Sequence, residues 1–237
     1  MFWKKKELDI QFVDKTGLAF EHTPIQRACD VKPKYFLKQK EENGRLMFSN
    51  CPGMFDLYRV GYIIPAWCDI FIKANKAGVV TVVKSGRGNP GFDNARPMDH
   101  ALINGLVEFE NVAPNANHLG SPWAVFTRNK LTCWVGPATY HNDLSKDIII
   151  LPGLIDYNDF HSMNLIFAAR RECEVHIKAG DPLIQVIPFG TPTEIRGGYG
   201  PADELQKQML SNQIHTTEKQ YYRRRKMQSK YFSLDGL

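Results

Sequence analysis

No stretch of this chain is apolar for long enough to cross a bilayer. The longest hydrophobic runs, "VGYIIPAW" (60–67) and "DIIILPGLI" (147–155), are broken by Pro, Gly or Asp well short of the roughly 20 residues that a membrane helix needs. The opening "MFWKKKELDI" lacks the apolar segment of a secretory signal, so neither a membrane partner nor signal-directed export is expected. Cysteine is sparse and without pattern: Cys29, Cys51, Cys68, Cys133 and Cys173 are odd in number, scattered, and never spaced as Cys-x-x-Cys. That argues against a disulfide framework and against a cysteine zinc site, and it points to a reducing compartment. No internal repeat is visible. The glycine-rich stretch "KSGRGNPGFDNARP" (84–97) lacks the lysine context and strand-to-helix setting of a phosphate loop and reads as a long loop.

What is present is a chain of 237 residues, 43% hydrophobic and 23% charged, sufficient for one sizeable core. Its net charge of +5 is concentrated at one end. The segment "KQYYRRRKMQSKYF" (219–232) holds six basic residues and no acid, which leaves 24 basic against 25 acidic residues elsewhere. Tyr221, Tyr222, Arg223, Arg224 and Arg225 are therefore candidate contacts for nucleic acid or an acidic partner, since arginine pairs with phosphate and tyrosine stacks on bases. A solvated basic helix end has the same composition.

Between about residues 45 and 190, short bursts of β-branched and aromatic residues ("DIFIKAN", "VVTVVKS", "WAVFT", "LTCWV", "MNLIFA") alternate with Gly, Pro, Asn and Asp. This predicts a mainly β fold, a compact barrel or sandwich. In "CEVHIKAGDPLIQVIPF" the alternation puts Cys173, Val175 and Ile177 on one face, and Gly180 with Asp181 predicts a hairpin turn into a second strand. Past residue 200 the β pattern stops. Pro201, Asp203 and Glu204 are helix-start chemistry, and Leu205, Met209, Leu210, Ile214 and Tyr221 form a thin apolar stripe, so a C-terminal helix over about 202–228 is expected. A short helix in "KPKYFLKQKEENG" (32–44) is a further expectation. The resulting division is an N-terminal extension (1–44), a core domain (45–200), and a C-terminal helix with basic tail (201–237).

"PGLID" followed by "AGDPLIQVIPF" resembles the deoxyuridine triphosphatase and deoxycytidine triphosphate deaminase superfamily. "PAWCDIFIKA" and "IRGGYG" are weaker echoes in the same order. The resemblance implies a β-clip fold. It also implies that Asp156 activates the attacking water, that Asp69 holds the acid position of the first motif, and that Ser121 and Gln185 contact the nucleotide. Mg would sit on the triphosphate, and pockets would lie between the subunits of a trimer. The chain departs from that pattern where the family keeps an Arg-Ser pair for the phosphates, because Ser121 is followed here by Pro122 and Trp123. "CPGMFDLYRVGYIIPAWCDIFIK" and "SPWAVFT" are also similar to an uncharacterised family of tailed-bacteriophage and bacterial proteins, which implies phage biology and no known activity.

These features together favour a non-catalytic phage-type protein without a cofactor. It would act by binding or assembly, as a virion component or as an accessory protein in the host cytoplasm, forming a homo-oligomer or joining other phage proteins. A nucleotide-binding or nucleotide-hydrolysing enzyme is the alternative. A third constellation, "HND" (His141–Asp143) with His161 or His176, has the residue types of a 2-His-1-carboxylate iron site but little specificity.

Overall fold

The pattern in "DIFIKA" is kept in three dimensions: along strand β4 (Asp69–Ala74), Ile70, Ile72 and Ala74 are buried while Phe71 and Lys73 face outward. A computed structural model describes residues 10–31, 33, 52–76, 79–85, 96–97, 112–127, 131–157 and 161–190. All of these lie in the unit Leu8–Thr191, and they are mainly β. The expected helices at 32–44 and 202–228 and the basic tail with Tyr221 to Arg225 lie outside the described residues, as do "IRGGYG" and most of the 84–97 stretch. Among the described residues no helix is long and apolar enough to cross a membrane.

Among the described residues three antiparallel sheets surround the main hydrophobic cluster, and Ala28, Ile63 and Ala138 form a small second one. In the first sheet, β1 (Ile10–Asp14), β7 (Val112–Thr127), β11 (Ser162–Arg170) and β9 (Ile148–Ile150) follow in that order, with β6 (Arg96–Pro97) also on β7. The second runs β10 (Gly153–Asp156), β8 (Leu131–Pro137), β13 (Pro182–Gly190), β3 (Tyr62–Pro65) and β2 (Gln26–Arg27). The third is β12 (Glu174–Ile177), β4 and β5 (Val80–Ser85). Among the described residues no sheet closes into a barrel. The inward faces bring together Trp67, Trp123, Tyr157, Phe167, Leu119, Ile70 and Ile72, all essentially without solvent exposure. Residues before position 45 take part: β1 pairs with β7, and β2 with β3. Helix α1 (Ala19–His22) follows β1, and helix α2 (Pro52–Arg59) precedes β3, with proline at its first position, where a missing N–H costs nothing.

The expected hairpin at Gly180–Asp181 is not formed. The predicted alternation in β12 holds, with Val175 and Ile177 buried, but β12 pairs with β4 while β13 pairs with β3 and β8 in another sheet. The turn at Gly180, where φ is +88°, is a corner between sheets. It is pinned to the equivalent corner between β3 and β4: the Gly180 N–H donates to the Ala66 carbonyl at 2.8 Å, and the Ala66 N–H donates to the Asp181 carbonyl at 2.8 Å. Two adjacent strands thus turn together from one sheet into the next.

Candidate functional site

The four core-domain residues singled out from sequence have separate surroundings. Asp69 starts β4 at the double corner. Its Oδ1 accepts the Ala179 N–H at 2.8 Å, and its Oδ2 lies 3.9 Å from His176 Nε2. The carboxylate therefore ties one corner to the other. It is half-exposed, on the outer face of the third sheet.

Ser121 is buried in β7, where the ladder to β11 is irregular. Ser162 pairs with Ala124 and Asn164 with Gly120, so β7 carries two extra residues there. Pro122 has no N–H to offer the ladder. The Ser121 hydroxyl repairs the gap, donating to the Met163 carbonyl at 2.7 Å and accepting the Trp123 N–H at 3.2 Å. This explains why a serine precedes "PW": its oxygen replaces backbone pairing that the bulge removes.

Gln185 is 2% exposed. Its Nε2 donates to the carbonyls of Leu57 at 2.6 Å and Val60 at 2.9 Å, two groups at the end of α2 that lack helical partners. The amide fastens the helix to the outer face of the second sheet. Asp156 belongs to the same sheet but not to the same place. It pairs with Thr132 on β8 while Gln185 pairs with Gly136, four residues and hence ~13 Å along the strand. Asp156 is exposed at the end of β10. Burial first, and the Asp156 carboxylate second, push the Cys133 thiol up to about 12, so this cysteine carries no thiolate near neutral pH. Tyr157 next to it is fully buried with its hydroxyl unpartnered, so its ring is not available to stack on an incoming sugar.

The histidines of the iron-site constellation lie on different surfaces. His176 stacks on Phe71 on the third sheet (centroids 4.1 Å apart, planes 11° apart), and His161 stacks on Phe126 beside the first (4.4 Å, 20°). Among the described residues no group of three or more His, Cys, Asp or Glu side chains is placed to hold a metal ion. His141 is 1% exposed, with its ring edge-on to Tyr58 at 6.2 Å and no well-formed hydrogen bond at either ring nitrogen. Burial holds its pKa below the usual 6.5, opposed only in part by the Tyr58 backbone. The unfolded chain binds a proton near pH 6.5 that the folded chain refuses. Stability is therefore complete above that pH and falls as pH drops from about 6.5 toward the lower folded value, by at most ~1.4 kcal/mol per pH unit. Urea melts between pH 5 and 8 should show this slope, reduced in His141→Phe.

A groove of about 580 Å³ is lined by Lys73, Ala74, Asn75, Lys76, Glu172, Cys173 and Glu174. It contains none of the four. Its charges are paired, Lys76 with Glu172 at 3.5 Å and Lys73 with Glu174 at 3.7 Å, and burial raises the pKa of Cys173. The groove offers neither a nucleophile nor a net field.

The surface that sequence reading passed over is the outer face of the third sheet. Phe71 (41% exposed), Val83 (55%) and His176 stand in one cross-strand row, and Val79 (60%) continues the apolar character along β5. The signal was "VVTVV", in which both parities are apolar or neutral, so that one face had to be left outside. Compared with known protein families, with curated proteins and with solved structures, the chain matches none.

Proposed function

We propose that this protein works by binding and assembly rather than by catalysis, as a phage-type component or accessory protein that associates with itself or with other phage proteins. One observation carries the reading. Ser121, Gln185 and Asp69, side chains that a nucleotide site would use, each hold another part of the fold: Ser121 bonds to Met163, Gln185 to α2, and Asp69 to Ala179. Rebuilding a triphosphate site would require breaking those contacts. The phage assignment rests on the similarity of "CPGMFDLYRVGYIIPAWCDIFIK" and "SPWAVFT" noted above. The β-clip assignment rests on the order of the motifs around Asp156 and Gln185.

The enzyme alternative retains one favourable feature, the exposed carboxylate of Asp156 at a strand end, with Mg on the substrate. Calorimetry with deoxyuridine and deoxycytidine nucleotides, beside a pyrophosphate-release assay with magnesium, separates the two. No turnover is expected. Turnover that disappears in Asp156→Asn would overturn the binding reading.

A further inference from the structure

We infer that α2 is an acid-released cover over the second sheet, and that His141 is the group whose protonation frees it. The device is independent of what the protein binds. It acts on the face that Gln185 of β13 shares with its cross-strand partner Ile63 of β3.

The His141 ring is buried between α2 and its own loop. Tyr58 of α2 stands edge-on to it, and neither ring nitrogen makes a well-formed hydrogen bond. A neutral imidazole carries one N–H; the protonated ring carries two and a full charge. Burying that charge without a partner is far more costly than burying the neutral ring, so the proton is taken up only when water reaches the ring. One of the walls must then give way. The loop is the firmer wall: the His141 N–H donates to the Ala138 carbonyl at 2.9 Å, the Ala138 N–H to the Leu183 carbonyl at 3.2 Å, and Asn142 Nδ2 to the Pro182 carbonyl at 2.6 Å, which fastens the loop to β13.

The weaker wall is α2. It has eight residues, below the roughly 12–15 at which an isolated helix begins to persist in water, so it depends on its contacts with the sheet. Leu57 and Val60 at its C-terminal end are largely exposed, and their carbonyls are held by Gln185 Nε2. Short elements that bury little apolar surface are the first to open. Opening carries Tyr58 away from His141 and uncovers Gln185.

The titratable and charged groups on the surrounding elements are Asp56, Tyr58 and Arg59 of α2, and Cys29 and Asp30 in the turn that packs on α2. Tyr140 and Asp143 flank the ring on its own loop, and Asp181 precedes β13; Ile63 and Gln185 do not titrate. Among the described residues, burial and the Tyr58 backbone are what act on the ring, burial being the larger, and the closed-state pKa lies below 6.5. An exposed ring titrates near pH 6.5, so the open form takes the proton first. The closed form is therefore fully favoured above about pH 6.5, and the open fraction rises by up to about tenfold per pH unit as pH falls from there toward the closed-state value.

The test is hydrogen exchange by mass spectrometry on the full-length chain from pH 8 to pH 5, corrected for the intrinsic pH dependence of exchange. Protection of residues 52–59 is expected to fall by up to about tenfold per pH unit below 6.5, while β8 and β13 stay protected. His141→Phe and His141→Gln should both abolish the pH dependence, and either suffices if the other fails to fold. Gln185→Ala should raise opening at every pH and leave the pH dependence in place. Protection of α2 that ignores pH, protection lost equally from α2 and from the strands of the second sheet, or a pH dependence that survives both His141 substitutions would overturn the inference.

Discussion

Replacing Gln185 with alanine is expected to lower stability by about 2–4 kcal/mol, because it leaves two carbonyls at the end of α2 without their donor and opens space beneath the helix. The side chain is 2% exposed, so water does not readily substitute for the lost amide. Denaturant melts should show a lower midpoint with nearly unchanged slope, and hydrogen exchange should accelerate first in α2. The measurement also bears on function. If Gln185 were held in reserve for a phosphate, alanine would leave the apoprotein about as stable as before and alter only nucleotide affinity. A loss under about 0.5 kcal/mol would therefore contradict the structural role assigned to it.

A larger effect is expected at Gly61, which joins α2 to β3. Its φ is +77°, in the left-handed region, and its carbonyl accepts the Ala28 N–H at 2.9 Å. An added Cβ would collide with the Val186 carbonyl oxygen and crowd the Ile187 backbone, neither of which is a flexible side-chain end. Gly61→Ala combines an unfavourable backbone conformation with forced separation of β3 and β13, an expected loss of about 3–5 kcal/mol. Gly180→Ala provides the comparison. There φ is +88° but no atom lies within 4 Å of the new Cβ, so only the conformational cost of about 1–2 kcal/mol applies. Thermal melts of the two variants should separate clearly. Equal losses would mean that β13 yields locally at Gly61.

Much of the strand content is legible in the chain, and the reason is local. Period-two alternation sets which side of β4 and β12 faces inward, because successive residues on an extended backbone must point to opposite faces. The surroundings of Ser121 and Gln185 are not local. Both residues sit at irregularities, a two-residue bulge in β7 and an uncapped helix end, that arise from pairings 42 and more than 120 residues away.

The corner at Gly180–Asp181 shows where such reading ends. Its residues are those of a hairpin, and nothing nearby states that β13 will find β8 and β3 on its two sides while β12 finds β4. Turn chemistry constrains dihedral angles over a few residues. Which sheet a strand joins depends on long-range burial and on the edges available when the core closes. The apolar faces were therefore written in the order of residues, whereas the partnering of strands, and with it the internal use of Asp69, Ser121 and Gln185, emerged from packing among distant segments.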